Sequence, residues 1–162
     1  ARFYFLSVHF DHRGHKAKME GSKQVVEWVK RNCKGKSAIV VGDFNYEPDK
    51  EYYKVFGESR VLQDAFDIAT YRFFPTGSFS AFDPRRFTTN RGDHIFVSKG
   101  IKVSRYGVLT YHYYRNMKAE LQEMDTAAPA EIKGENRDTK CISDHYAIQS
   151  FITLKGGKKS KK

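Results

Sequence analysis

The chain has 162 residues, 40% of them hydrophobic and 15% aromatic, which is enough apolar side chain for one globular core and too much for a compositionally disordered segment. No apolar run approaches the roughly 20 residues that a bilayer span needs, so no transmembrane segment is expected. Net charge is +10, but residues 155–162 hold five lysines and read as a basic flexible tail, which leaves +5 on residues 1–154; that balance suits a phosphorylated or polyanionic partner without requiring one.

The start, Ala1 to Leu6, lacks the pattern of a signal peptide and reads like the middle of a strand, a first sign that the chain is truncated. Arg2 to Phe10 carries apolar side chains on both alternating sets, as a central strand covered on both faces would. After a polar loop from Asp11 to His15, the spacing of Met19, Val25, Val26 and Val29 predicts an amphipathic helix over 16–32, ended by Lys34-Gly35-Lys36. Ser37 to Val41 is a short apolar strand that runs into the loop Gly42-Asp43-Phe44-Asn45. Pro48-Asp49 opens a short helix over 51–56. The segment Val61 to Ala69 is apolar but of undecided state.

Ser78 to Thr89 reads as strand or loop lining a surface. His94 to Val97 and Ile101 to Tyr111 read as two strands joined through Ser98-Lys99-Gly100. Residues 112–140 read as a long surface loop with a helix over 118–124, and Tyr146 to Leu154 as a closing strand. Cys33 and Cys141 form no zinc-ligand spacing and read as buried free thiols, with a disulfide left open. Strand–helix–strand–helix followed by several strands indicates an α/β or α+β fold, whose ligand sites cluster beyond strand ends.

Four places set acid, amide or histidine groups at the end or start of an apolar strand: His9 with Asp11 and His12, Asp43 with Asn45, Asp93 with His94, and Asp144 with His145. Each alone is explained by capping or turn formation. Together they suggest shared chemistry. Asp and Asn oxygens suit a hard cation such as Mg2+ or Mn2+, which polarises a phosphoryl oxygen and acidifies a bound water. A histidine beside a carboxylate can offset the charge of a phosphoryl-transfer transition state. No serine or cysteine stands in a nucleophile motif.

In order, Ser7-Val8-His9-Phe10-Asp11-His12, Val41-Gly42-Asp43-Phe44-Asn45 with Pro48, Arg91-Gly92-Asp93-His94-Ile95-Phe96, and Ser143-Asp144-His145-Tyr146 resemble the "NTHLDH", "GDFNxxP", "RIDHIF" and "SDHxP" motifs of the endonuclease/exonuclease/phosphatase superfamily. The resemblance runs from about residue 3 to residue 154. It implies that Asp43 orients or deprotonates the attacking water, and that Asn45 binds the scissile phosphate or the metal. It gives His145 a phosphate oxygen to hold with Asp93 as its carboxylate partner, His9 a phosphate contact and the role of general acid, and Asp144 a place at the metal. Metal ligation is thus expected from Asp43, Asn45 and Asp144. Gly92 departs from the apolar residue that usually precedes the motif Asp, and Tyr146-Ala147 from the usual apolar–Pro pair.

The superfamily fold is a four-layer α/β sandwich, two sheets flanked by helices, built from two similar halves. The motifs here belong to its C-terminal half, residues 1–154. The first half, with the Glu that is the principal metal ligand, is expected to be missing, and an N-terminal half in a second chain or in a longer product is the expected partner. Glu20, Glu47 and Glu51 read as helix-surface or helix-N-terminal charges. The expected activity is divalent-metal-dependent hydrolysis of a phosphodiester or phosphomonoester; the competing reading is a catalytically silent domain of the same fold that binds polyanions or protein. Nucleic acid stays open as a partner. Phe79, Phe82, Arg85, Arg86 and Phe87 could stack on and clamp DNA, but the preferred reading packs the phenylalanines inside and leaves the arginines solvated. The His9-to-His12 and Asp93-to-Ser98 segments look most like a bacterial branch that is often exported and acts on small phosphoesters or lipid head groups, so a secreted or periplasmic location stays open.

Overall fold

A computed structural model of the chain describes residues 2–116 and 137–154. In chain order the elements are β1 (Phe3–His9), α1 (His15–Cys33), β2 (Ser37–Asp43), α2 (Glu51–Glu58), β3 (Leu62–Asp64), α3 (Ala65–Ile68), β4 (Tyr71–Phe73), β5 (Asp93–Ser98), β6 (Lys102–Leu109), β7 (His112–Asn116), β8 (Arg137–Cys141) and β9 (Ala147–Thr153). They form a four-stranded sheet in the order β1-β2-β5-β3, a three-stranded sheet β4-β6-β9, and the pair β7-β8. This is a mixed α/β fold with helices packed on a sheet. No helix among the described residues is long and apolar enough to cross a membrane.

The apolar run of β2 is explained by burial on both faces. Side chains alternate across a strand, so Ala38 and Val40 enter a cluster with Val26, Val29 and Cys33 of α1 and Tyr52 and Phe56 of α2. Ile39, facing the other way, joins Ile95 and Val97 of β5 and Val103, Tyr106 and Val108 of β6. The first cluster is the helix–sheet layer and the second lies between the two sheets. Helix α1 ends where Lys34 turns left-handed (φ 41°) and Gly35 follows at φ 80°, close to the expected boundary.

Several expectations are corrected. β1 lies at a sheet edge and not at its centre: Tyr4, Leu6 and Val8 pack on the helix-side core, while Phe3 and Phe5 face outward. β5 and β6 are the two expected strands joined through Ser98–Gly100, and the turn between them carries the chain from one sheet to the other. The undecided segment splits into β3 and α3, with the Asp64 side chain accepting from the Phe66 amide at the helix start. β4 has no counterpart among the expected elements, because its three exposed residues carry no periodic signal. The ends of the expected 112–140 loop are strands β7 and β8; the expected helix over 118–124 and the tail 155–162 lie outside the described residues.

Candidate active site

Sheet direction gathers the motifs. β1 and β2 run parallel, with His9 opposite Asp43, so their C-terminal ends meet at one edge of the sheet. β5 runs antiparallel to β2, with Asp93 opposite Asp43, so its first residue arrives at the same edge. Gly42 makes this convergence sterically feasible. Its φ is 145°, and a Cβ there would lie 1.8 Å from the Val8 carbonyl oxygen.

Past β2 the chain turns sharply at Asn45 (φ 54°), a conformation that asparagine tolerates better than most residues. The Asp43 carboxylate accepts from the Asn45 amide (2.8 Å) and from Asn45 Nδ2 (3.1 Å), and Nδ2 also donates to the Phe10 carbonyl (2.9 Å). Asn45 Oδ1 takes no hydrogen bond among the described residues. Lys18 braces the turn: Nζ donates to the carbonyls of Asn45 (2.8 Å) and His12 (3.1 Å). The Phe44 amide donates to the Gly92 carbonyl (2.9 Å), so the glycine that departs from the family pattern still supplies a backbone tie.

His145 comes from a distant segment and is set by the stretch Ser78–Ala81. The amides of Ser80 and Ala81 donate to the Asp144 carbonyl (2.8 and 3.1 Å), the Tyr146 amide donates to the Ser78 carbonyl (2.7 Å), and Phe79 forms a β-bridge with His145. Thus placed, His145 Nδ1 stands 2.7 Å from Asp93 Oδ2, and Nε2 stands 3.9 Å from Asp43 Oδ2. Ser78 Oγ donates to the same Asp93 oxygen. Burial, the largest influence on the ring, works against its charged form. The hydrogen bond and charge of Asp93, with the charges of Asp43 and Asp144, outweigh it and raise the His145 pKa above its ordinary value.

Five of the expected residues therefore converge: His9, Asp43, Asn45, Asp93 and His145. His9 Nε2 is 3.4 Å from Asp43 Oδ2 with its side chain 76% exposed. Asp144 is near enough to bear on His145, but its hydrogen bonds are structural: its carbonyl takes the Ser80 amide, and Oδ1 accepts from Ser143 Oγ (3.2 Å). A cleft of about 240 Å³ opens over Asp43, Asn45, His145 and Lys18. Glu47, expected as a surface charge, lines this cleft and accepts from the Arg91 amide (3.2 Å).

Sequence reasoning missed the serine clamp at Ser78 and Ser80 and the brace at Lys18. A Ser-rich stretch and a single lysine in a helix carry no positional signal. The preferred packing reading of the aromatic loop fails for Phe82 (61% exposed) and Phe87 (78% exposed). Phe79 lines the cleft, its ring edge-on to His145 at 5.2 Å, with Arg86 over it at 5.3 Å.

Behind the site, His94 is fully buried. Its Nε2 is 3.0 Å from the Tyr46 carbonyl and its Nδ1 3.2 Å from Asp64 Oδ2, which also accepts from Arg91 (3.1 Å) and Tyr53 (3.0 Å). Burial acts to raise the Asp64 pKa, but the bond to His94 and the charges of His94 and Arg91 prevail and lower it. The phenol of Tyr53 is pushed upward by burial and by Asp64 and Asp67.

Among the described residues no three His, Cys, Asp or Glu side chains converge as a ready-made metal cage. The oxygens of Asp43 and Asn45 still fit a hard cation in kind, since Mg2+ is commonly held by one or two carboxylates with water and substrate phosphate completing its shell.

Comparison with known proteins gives the family and the fold. The model of the Endonuclease/Exonuclease/phosphatase family matches residues 3–145. Among solved structures, the mannosyl-6-phosphatase Bt3783 of Bacteroides thetaiotaomicron is 34% identical at a TM-score of 0.78, over 93% of this chain and 51% of its own. An endonuclease/exonuclease/phosphatase family protein of the same organism is 35% identical at a TM-score of 0.76, over 91% of this chain and 47% of its own. A conserved Enterococcus faecalis protein at 22% identity and a TM-score of 0.69, over 93% of this chain and 50% of its own, shares the fold. The chain spans about half the length of these structures. No curated protein matches it. With three ordered motifs meeting at one sheet edge, the fourth bonded to them through His145 and Asp93, and the family match running through nearly all of them, this chain belongs to the endonuclease/exonuclease/phosphatase family, whose members are hydrolases of phosphoester bonds.

Proposed function

We propose that this chain supplies the water-orienting and phosphate-clamping groups of a divalent-metal-dependent phosphoesterase that acts on small phosphoesters, with sugar phosphomonoesters foremost. The observation that carries the reading is the line Asp93–His145–Asp43, with a 2.7 Å bond holding the imidazole and its Nε2 directed at the carboxylate over the cleft. The 34% identity to a mannosyl-6-phosphatase supports the substrate class.

Asp43 accepts a proton from the attacking water and keeps its orientation through the two Asn45 bonds. Asn45, pinned through Nδ2, offers Oδ1 to a cation or its water. His145 as imidazolium donates to a phosphoryl oxygen and offsets the charge that grows there, with Asp93 fixing the ring and the charge. His9, exposed beside Asp43, protonates the leaving oxygen. Asp43 and Asn45 would hold Mg2+ or Mn2+, with Asp144 as an outer group that helps position it, and the cation would supply charge neutralisation at the phosphoryl group when bound.

The test is hydrolysis by the full-length protein with Mg2+ or Mn2+ across a mannose phosphate, an inositol phosphate, sphingomyelin and plasmid DNA. Turnover should be fastest on the sugar phosphate and should fall at least about a hundredfold in Asp43→Ala or His145→Ala. Undiminished turnover in either variant would sink the reading, and preference for DNA would move the substrate.

A further inference from the structure

Lys18 is 8% exposed, and its ammonium has no ion-pair partner among the described residues. Burying a charge is costly unless an opposite charge and hydrogen bonds compensate it. Nζ gives two of its three N–H groups to the carbonyls of His12 and Asn45, and it stands 5.7 Å from the centroid of the Tyr52 ring. One donor remains uncommitted, and the positive charge meets only the face of the Tyr52 ring and the Asp11 carboxylate, with no ion pair among the described residues. Asp11 is near enough to feel that charge, yet its Oδ1 is spent on the amides of Arg13 and Gly14 (2.6 and 2.7 Å) and not on Nζ. Lys50, the other lysine on the cleft, is paired with Asp49 at 2.9 Å.

Lys18 lines the same cleft as Asp43, Asn45 and His145. A carbonyl brace alone does not need a cation: a neutral amide donor would serve without the desolvation cost. An ammonium at this place pairs best with an anion that arrives with the substrate.

We propose that Lys18 is a specificity-determining residue, forming an anion subsite that takes a second charged oxygen of the phosphoryl group and so favours phosphomonoester dianions over singly charged diesters. The inference rests on the phosphoesterase reading for its biological substrate, but phosphate binding itself is independent of turnover. In a diester the corresponding oxygen is esterified, and the lysine then faces a neutral group with its own charge uncompensated.

The probe is inorganic phosphate, titrated calorimetrically into the full-length protein and into Lys18→Met and Lys18→Arg. Phosphate affinity should weaken at least about tenfold in K18M, as loss of a charge-assisted hydrogen bond implies, and stay within about threefold in K18R. The kcat/KM ratio of monoester to diester should fall by a similar factor in K18M. Should K18M not fold, the Lys18 Nζ resonance of the unmodified protein must shift on phosphate addition. Unchanged phosphate affinity, equal losses on both ester classes, or an unmoved Lys18 resonance would overturn the proposal. Phosphate binding through Lys18 in a protein that hydrolyses no ester would leave this inference standing and remove the reading of the reaction.

Discussion

Gly42→Ala probes the joint between fold and site. A methyl group at Gly42 would sit 1.8 Å from the Val8 carbonyl oxygen and 2.8 Å from its carbon. Carbon and oxygen approach no closer than about 3.3 Å without repulsion, so β1 must retreat by roughly 1.5 Å. Two or three ladder hydrogen bonds near His9 and Asp43 would go with it, at roughly 0.5–1.5 kcal/mol each, and the positive φ adds strain of about 1–3 kcal/mol. The expected loss is about 3–6 kcal/mol, a large share of the roughly 5–15 kcal/mol typical of a domain. Gly35→Ala is the control. Gly35 also has positive φ (80°), but nothing lies within 4 Å of its added Cβ, so only backbone strain of about 1–2 kcal/mol applies. Guanidinium unfolding of the two variants should separate them by at least about 1 kcal/mol. Folded G42A should also lose about a hundredfold in kcat/KM, because an ångström at His9 and Asp43 spoils alignment. Equal stability of the two variants would refute the steric argument.

Three further outcomes follow from the site. Asp93→Asn removes the charge that most favours protonated His145; activity that needs the imidazolium falls as pH rises through the raised pKa, so in D93N this limb of the pH–rate profile should move to lower pH, and an unmoved limb would exclude His145 as the cationic clamp. The same linkage has a stability sign: the Asp93–His145 pair contributes fully below the ordinary histidine pKa and fades as pH rises past the raised one, so D93N should narrow its deficit against wild type in alkaline melts. His94→Ala leaves buried Asp64 without its imidazole partner and should cost about 3–5 kcal/mol in urea unfolding; because the Asp64 pKa is lowered, the protection it provides is present above the ordinary carboxylate value and is lost as pH falls through the lowered one, and wild-type acid stability in H94A would contradict that account.

Much of the site was legible because its chemistry is local. Asp43-Phe44-Asn45 follows an apolar strand, and strand ends are where side chains leave the core; the same holds for His9 and Asp93. The apolar run of β2 also announced burial on both faces. What the sequence could not supply was direction and distance. Parallel pairing of β1 with β2 and antiparallel pairing of β5 decide that His9, Asp43 and Asp93 share one edge, and no periodicity distinguishes the two senses. β5 and β6, adjacent in sequence, separate into different sheets because Ile95 and Val97 pack against Val103 and Tyr106 across the interior. Lys18, Ser78 and Ser80 are of residue types common on any surface. Their roles depend on carbonyls and carboxylates contributed by segments far along the chain, a proximity created only when the sheets close over the core.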